Sequence, residues 1–255
     1  MLYARGDLEH NRFFAERLVE SGRSLGMDTR IAVTDDLPSG VPDCAVNRSR
    51  DWALASRLES EGVLVSNTSE ACRTFNDKLA TYILADRLGI PHMPVSVPGE
   101  QLPPGPPWVV KSRSGHGGSE VAMACEEKEV RDLFDRIPCP IVQSIAEPGR
   151  DMRAYVLGDR ILTCVMRTSD TDFRANHSLG GRAEVCDPPD AVHEMITGVC
   201  RAVGPDLVGV DFVFRDGNPV LNEVEDAVGC RMLYELTELD PAHLLMELVH
   251  SKISR

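Results

Sequence analysis

The chain has 255 residues, 42% of them hydrophobic and 26% charged, with a formal net charge of −13. These values are ordinary for a globular protein with a large core. The negative charge argues against a nucleic-acid or anionic-membrane partner, and eight cysteines without metal-ligand spacing favour reduced thiols and a cytoplasmic location.

Strand and helix signals alternate over the first 75 residues. Strands are predicted at 2–4, 30–33, 43–46 and 63–65, and helices at 8–25 and 51–61. Such alternation predicts a small parallel α/β domain over residues 1–75.

The pattern changes after residue 75. A helix is predicted at 76–89, where Gly89 and Pro91 give a stop signal. The proline-rich segment 98–107 indicates a surface connection. A strand at 108–111, a loop at 112–119, a strand at 121–124 and a helix at 126–136 complete a second domain, residues 76–140.

From residue 141 strands follow one another with few helices between them. Strands are predicted at 141–144, 152–157, 160–167, 207–214 and 219–224, and helices at 190–203 and 241–252. This order predicts an antiparallel sheet in a third domain, residues 141–255. The whole chain is therefore expected to be α/β at its start and α+β afterwards.

A glycine-rich loop follows a lysine at the end of a strand. Lys111 ends the strand, and the loop contains Ser114, Gly115, Gly117, Gly118 and Ser119. Glycines let backbone N–H groups approach phosphate oxygens, and the lysine adds a positive charge. P-loops and Rossmann loops lead into a helix, whereas a strand is expected here. The alternative is an ordinary hairpin turn, but eight residues are more than a hairpin needs.

Three carboxylates lie on a predicted hairpin. Asp211 is on its first strand and Glu223 and Glu225 are on its second. A three-residue loop, 216–218, puts Asp211 opposite Glu223, whereas a two-residue loop pairs it with Asn222 and turns it away; we expect the longer loop. Clustered carboxylates repel one another unless a cation offsets them, so a Mg²⁺ or Mn²⁺ site is favoured over a solvated acidic edge.

Residues 150–182 hold six arginines against four aspartates, although the chain as a whole is acidic. Arg153 and Arg167 are candidates for a cleft, because a guanidinium group can bind phosphate or carboxylate through two hydrogen bonds. Surface charge is the alternative for any one of them. The polar and then glycine-rich stretch 172–181 indicates a loop that could close over a ligand.

Together these motifs resemble the ATP-grasp superfamily, and within it the RimK-type glutamate ligases and related amino-acid ligases. The resemblance runs from about Asn67 to Glu235. The matching segments are Asn67-Thr68, 76–81, Gly89-Ile90-Pro91, Val110-Lys111 with the loop, 142–146, Gly149-Arg150-Asp151-Met152-Arg153, Arg167, Asp172-Phe173-Arg174-Ala175-Asn176 with Gly180-Gly181, Gly209-Val210-Asp211 and Asn222-Glu223-Val224-Glu225. One departure is Glu225, which stands where the family usually has asparagine.

The resemblance implies an ATP-grasp fold with an N-terminal pre-ATP-grasp domain, a lid subdomain and a C-terminal subdomain. It implies ATP and Mg²⁺ as cofactors, and a ligase that phosphorylates a carboxylate and then lets an amine displace the phosphate. A homodimer is compatible with it. A small-molecule kinase, or a nucleotide-binding module without turnover, is the alternative.

The resemblance also implies a role for each matching residue. Those expected at the phosphates are Lys78, Lys111 and the loop residues named above, and those at the adenine hinge are Gln143, Ser144, Ile145 and Ala146. The expected metal ligands are Asp211, Glu223 and Glu225. The side chains expected to orient the reacting groups are Arg153, Arg167, Arg174 and Asn176.

Overall fold

The computed structural model describes residues 1–116, 120–169 and 181–254. Within these ranges no helix is both long enough and apolar enough to cross a membrane.

The N-terminal region is a small parallel α/β layer, as the alternating pattern predicts. Its elements are β1 (Leu2–Tyr3), α1 (Arg5–Ser24), β2 (Ala32–Val33), β3 (Cys44–Val46), α2 (Trp52–Ser60) and β4 (Leu64–Ser66). β1 pairs with β2 and β3 with β4, all in parallel, and a parallel bridge between Leu2 and Asn47 joins the two pairs. The strand order is therefore β2-β1-β3-β4.

Two helices connect this layer to the rest of the chain. They are α3 (Ser69–Phe75), which the sequence pattern missed, and α4 (Lys78–Leu88). Thr68 caps α3 and Asp77 caps α4, each by accepting hydrogen bonds from backbone N–H groups. α4 ends at Gly89 in the left-handed conformation, φ +67°, which glycine adopts without steric cost.

A four-stranded antiparallel sheet carries the glycine-rich loop. Its strands are β5 (Val95–Ser96), β6 (Trp108–Ser112), β7 (Val121–Ala124) and β8 (Pro140–Ser144), in the order β5-β8-β6-β7, and α5 (Glu127–Arg136) packs against it. The proline-rich segment 98–107 contains neither helix nor strand, as predicted. The three-domain division stays a prediction. Because β8 pairs with β5 and β6, we propose that the second domain extends through Ser144.

The C-terminal region is built on a five-stranded antiparallel sheet. Its strands are β9 (Arg150–Leu157), β10 (Arg160–Thr168), β11 (Arg182–Cys186), β12 (Leu207–Arg215) and β13 (Asn218–Glu225), in the order β11-β10-β9-β12-β13. Its helices are α6 (Asp190–Val203), α7 (Arg231–Leu236) and α8 (Pro241–Ile253). β5, β11 and α7 were not predicted.

The two faces of this sheet bury separate cores. Alternate residues of β9 point in opposite directions: Ala154 joins a core with α4 and α6, and Tyr155 joins a core with α1 and α8. The sheet therefore lies between helices on both faces.

The β12–β13 hairpin differs from its prediction in the turn. Arg215 pairs with Asn218, so the connection has two residues, Asp216 and Gly217, both at positive φ. The expected three-residue loop is wrong. Asp211 nevertheless pairs with Glu223, because a register shift beyond Phe212 and Leu221 leaves Asn222 as an extra residue of β13. The bulge, and not the turn, therefore places Asp211 opposite Glu223, as predicted.

Candidate active site

Two arginines hold Asp211 at the centre of the C-terminal sheet. Arg153 of β9 is the cross-strand neighbour of Asp211. Its Nε and Nη2 atoms donate to the two carboxylate oxygens, each at 2.6 Å, and Arg167 Nη2 donates to Oδ2 at 3.2 Å. Burial alone would raise the pKa of Asp211, but the charges of Arg153 and Arg167 outweigh it and lower the pKa to about 2. Asp211 is therefore ionised at neutral pH.

The other two hairpin carboxylates also pair with basic side chains. Glu225 Oε2 lies 3.0 Å from Arg153 Nη2, and Glu223 Oε1 lies 3.0 Å from Lys78 Nζ. Among residues 1–116, 120–169 and 181–254, no three His, Cys, Asp or Glu side chains form a group that could hold a metal ion. The predicted metal ligands thus share one hairpin, but basic groups engage them, and the metal site stays a prediction.

Lys78 joins three parts of the site. It is the first residue of α4, its side chain is 6% exposed, and its Nζ atom donates to the carbonyl oxygen of Gly115 as well as pairing with Glu223. A Cβ atom at Gly115 would stand 2.7 Å from Glu120 Oε2, so this loop position has little room for a side chain. The predicted phosphate lysine therefore contacts both the glycine-rich loop and the acidic hairpin.

Lys111 is a buried cation whose hydrogen-bond partners are neutral. Its Nζ atom donates to the Tyr82 hydroxyl at 2.9 Å and to Asn222 Oδ1 at 3.1 Å. Burial lowers the pKa of Lys111 to about 8, against the opposing effect of Glu223. A buried charge without a close counterion is costly, and an incoming phosphate would offset that cost.

The predicted adenine hinge is only partly available to a ligand. Gln143 Nε2 donates to the Tyr82 hydroxyl at 3.2 Å, and the Ser144 N–H donates to Pro94 O at 3.0 Å. Ile145 and Ala146 follow the end of β8 and are half-buried. Because the Ser144 N–H is already bonded, Ile145 and Ala146 are the better candidates for backbone contact with a base.

Several predicted residues are not part of this network. Ser114 is exposed. The predictions for Gly117, Gly118, Ser119, Arg174 and Asn176 fall outside the described residues.

The sequence did not point to Tyr82, and it marked Asn222 only as the first residue of the motif that contains Glu223 and Glu225. Tyr82 is buried in α4, and its hydroxyl donates to Asn222 O and accepts from Lys111 and Gln143. A tyrosine on the buried face of a helix needs a hydrogen-bond partner for its hydroxyl group. That requirement is the one feature of the sequence that could have indicated a polar network around Tyr82. Asn222 is the residue that the bulge in β13 adds, which sequence alone does not reveal.

Comparisons with known proteins identify the family and the fold. The protein-family model described as the RimK-like ATP-grasp domain matches residues 100–249 of this chain. A probable alpha-L-glutamate ligase of Xanthomonas oryzae pv. oryzae is 28% identical over 220 residues, 80% of this chain and 74% of that protein. Among solved structures, the ATP-grasp ligase PsnB with its minimal precursor has a TM-score of 0.73 at 18% identity, covering 98% of both chains. The D-cycloserine synthetase DcsG has a TM-score of 0.74 at 17% identity, covering 99% of this chain and 98% of its own. The chain belongs to the RimK-like ATP-grasp family, as the resemblance implied.

Proposed function

We propose that this protein is an ATP-dependent ligase that joins a carboxylate to an amine through an acylphosphate. The observation that carries the proposal is the convergence of two buried lysines, a glycine-rich loop and the acidic hairpin. Membership in the RimK-like ATP-grasp family supports it, as do relatives described as probable alpha-L-glutamate ligases.

The lysines would neutralise the phosphates of ATP. Lys78 pairs with Glu223, and Lys111 donates to the neighbouring residue Asn222 and has neutral hydrogen-bond partners. Fixed charges of this kind stabilise a transferring phosphoryl group without reorganising during the reaction.

The hairpin carboxylates fit a hard divalent cation. Asp211, Glu223 and Glu225 offer only oxygen donors, and the buried Glu225 Oε2 atom pairs with Arg153 Nη2 at 3.0 Å without accepting a hydrogen bond from it. These three residues would hold Mg²⁺, or Mn²⁺ as an alternative, and the ion when bound would offset phosphate charge. Arg153 and Arg167 would then be released in part to face a substrate.

The reaction has two displacements. An oxygen of the substrate carboxylate attacks the γ-phosphorus, and the bond from that phosphorus to ADP breaks. The amine nitrogen then attacks the acyl carbon, the C–N bond forms, the C–O bond to phosphate breaks and the nitrogen gives a proton to solvent. Arg153, Arg167, Arg174 and Asn176 would orient the acyl and phosphate oxygens, so the protein contributes position and charge.

Two further assignments complete the proposal. All eight cysteines are free thiols, which supports a cytoplasmic location. The homodimer with which the family resemblance is compatible stays a prediction, and analytical ultracentrifugation would test it.

Phosphate release from Mg-ATP across a panel of amino acids and short peptides tests the ligase assignment. We expect release to require both a carboxylate and an amine, and to fall by roughly 100-fold or more in Glu223→Gln. The matched control is Glu194→Gln, because Glu194 is an exposed residue of α6. Nucleotide binding without release would favour a binding module, and a phosphorylated product formed without an amine would favour a kinase.

A further inference from the structure

The hydroxyl group of Tyr82 uses all of its hydrogen-bonding capacity. A phenolic hydroxyl has one hydrogen to donate and lone pairs that can accept. It donates to Asn222 O at 2.7 Å, and it accepts from Lys111 Nζ at 2.9 Å and from Gln143 Nε2 at 3.2 Å. Burial and the charge of Glu223 raise the pKa of Tyr82, so the hydroxyl keeps its hydrogen at neutral pH. Because that hydrogen is directed at Asn222, the lone pairs are left to the two nitrogen donors.

The bond from Tyr82 to Asn222 reaches a part of β13 that the ladder with β12 leaves unpaired. Asn222 is the extra residue of the bulge, so it has no cross-strand neighbour on β12. Its carbonyl oxygen receives the Tyr82 hydrogen instead, and its side-chain Oδ1 atom accepts from Lys111 Nζ at 3.1 Å. Tyr82 therefore fixes the backbone of the residue that supplies the second acceptor of Lys111.

The ring of Tyr82 is also fixed in orientation. It is buried and stacks on the imidazole ring of His92, with 4.8 Å between the ring centroids and 22° between the ring planes. His92 is itself held in place, since its Nε2 atom lies 3.0 Å from Asp86 Oδ1 and its Nδ1 atom lies 2.8 Å from Met93 O. The Tyr82 hydroxyl is therefore a fixed point to which the longer side chain of Lys111 must adapt.

The acceptors of Lys111 leave one of its donors for a ligand. An ammonium group has three N–H bonds. Within residues 1–116, 120–169 and 181–254, the atoms that accept from Lys111 Nζ are the Tyr82 hydroxyl and Asn222 Oδ1. The Tyr82 ring adds a weaker attraction, because Nζ lies 5.5 Å from its centroid. Two fixed acceptors therefore determine the direction in which the third N–H bond can point.

We propose that Tyr82 is a positioning residue that holds the Lys111 ammonium group in place for the nucleotide phosphates. It acts through Lys111 and not on the substrate, because its hydroxyl is one acceptor of the lysine and fixes the other, Asn222. A lysine that is already ordered loses less side-chain entropy when the phosphates bind. The inference rests on the proposed function only in taking Lys111 as a phosphate-binding residue.

A double-mutant cycle on the full chain tests this role, with the calorimetric affinity for a non-hydrolysable ATP analogue and Mg²⁺ as the measurement. Tyr82→Phe removes the hydroxyl and keeps the ring that stacks on His92. We expect this substitution to weaken analogue binding by roughly 5- to 10-fold, and Lys111→Met to weaken it by roughly 10- to 100-fold. The double variant should match Lys111→Met within about twofold, because the hydroxyl then has no lysine to position.

Additive losses would overturn the inference, because a hydroxyl that only supports the fold weakens binding whether or not Lys111 is present. Unchanged affinity in Tyr82→Phe or in Lys111→Met would overturn it as well. The matched control is Tyr234→Phe, since Tyr234 packs against the core with α1 and α8 and its hydroxyl donates to Asp240 Oδ1 at 2.9 Å. We expect the control to keep its analogue affinity within about twofold. A loss as large as that of Tyr82→Phe would show a general effect on the fold and overturn the inference.

His92→Leu provides the test if Tyr82→Phe does not fold. This substitution keeps the Tyr82 hydroxyl but removes the stacked ring and both hydrogen bonds of His92. We expect analogue affinity to fall by roughly 3- to 10-fold, and this loss to disappear in the Lys111→Met background. Unchanged affinity in His92→Leu, or a loss that persists without Lys111, would then overturn the inference.

Phosphate release separates this inference from the ligase proposal. If wild type releases phosphate with a carboxylate and an amine, but Tyr82→Phe has an unchanged kcat and an unchanged KM for ATP, the positioning role is overturned and the ligase stands. If the cycle gives the expected non-additive losses while wild type releases no phosphate with any substrate pair, the positioning role stands and the ligase assignment falls.

Discussion

Replacing Arg153 by methionine tests the charge balance at the centre of the site. The Arg153 side chain is 14% exposed, donates to Asp211 at 2.6 Å twice and lies 3.0 Å from Glu225. Without it, Asp211 and Asp151 would share Arg167, and Glu225 would lose its partner at 3.0 Å. Removing one partner of a buried ion pair costs about 3–5 kcal/mol.

The pKa of Asp211 points in the same direction. It falls from 3.8 to about 2 in the folded protein, even though burial opposes the change, because the charges of Arg153 and Arg167 favour the ionised carboxylate. Removing Arg153 should therefore destabilise the folded protein, and the expected loss in the free energy of unfolding is that of a broken buried pair, about 3–5 kcal/mol.

Urea unfolding with and without Mg²⁺ measures the effect. The folded pKa of Asp211 lies below its unfolded value, so this stabilisation is present above about pH 4 and is lost as the pH falls towards 2. Arg153→Met should lose much of that pH dependence. The substitution should also free oxygens of Asp211 and Glu225. Mg²⁺ at ten times its Kd for the variant should therefore add about 1.4 kcal/mol to the variant's free energy of unfolding, and the same Mg²⁺ concentration should add less to that of wild type.

Arg131→Met is the control, because Arg131 is 70% exposed and makes only a surface pair with Glu127. Its cost should stay below about 0.5 kcal/mol. A loss below about 1 kcal/mol in Arg153→Met would refute the assignment of these ion pairs as buried, because removing one partner of a buried pair costs several times more. An equal Mg²⁺ effect in variant and wild type would refute the metal assignment of Asp211 and Glu225.

Two further predictions concern Lys111 and Gly209. The folded pKa of Lys111, about 8, lies below its unfolded value of 10.5, so the unfolded state binds more protons between them. The free energy of unfolding of wild type should therefore increase as the pH rises through this range. Urea unfolding of Lys111→Met should not show this increase, because the variant lacks the titrating group. Analogue affinity should fall above pH 8 in wild type, because the phosphates need the charged lysine; an identical pH profile in the variant would contradict this role. Gly209→Ala should cost about 1–3 kcal/mol in urea unfolding, since its Cβ would stand 2.6 Å from Val228 Cγ2. Gly198→Ala is its control, because the nearest atom there is 3.4 Å away, and equal stability of the two variants would refute the close packing.

Local signals in the sequence were sufficient for most helices and strands. Gly89 ends α4, the apolar runs at 207–214 and 219–224 form β12 and β13, and Asp216-Gly217 forms their turn. These features depend on backbone preference and on side-chain polarity over a few residues. The ATP-grasp resemblance was readable for a related reason, because its motifs are short and follow one another along the chain.

Shorter elements escaped prediction. β5 has two residues, and β11 has five residues of mixed polarity, too short for a period to emerge. The bulge at Asn222 also left no local mark, since it exists only where β12 sets the register of β13. A correct expectation for Asp211 therefore came from a wrong loop length.

The sequence by itself determined most of the longer elements, the family and the residue types of the site. Tertiary structure decided which charges meet. Asp211 could pair with Arg153 only after β9 and β12 became neighbours, and Lys78 pairs with Glu223, which lies 145 positions further along the chain. The ion pair between Asp7 and Arg50 likewise depends on strand order, because β1 and β3 are neighbours. Pairing between distant residues depends on the packing of whole elements, which short-range preferences do not specify.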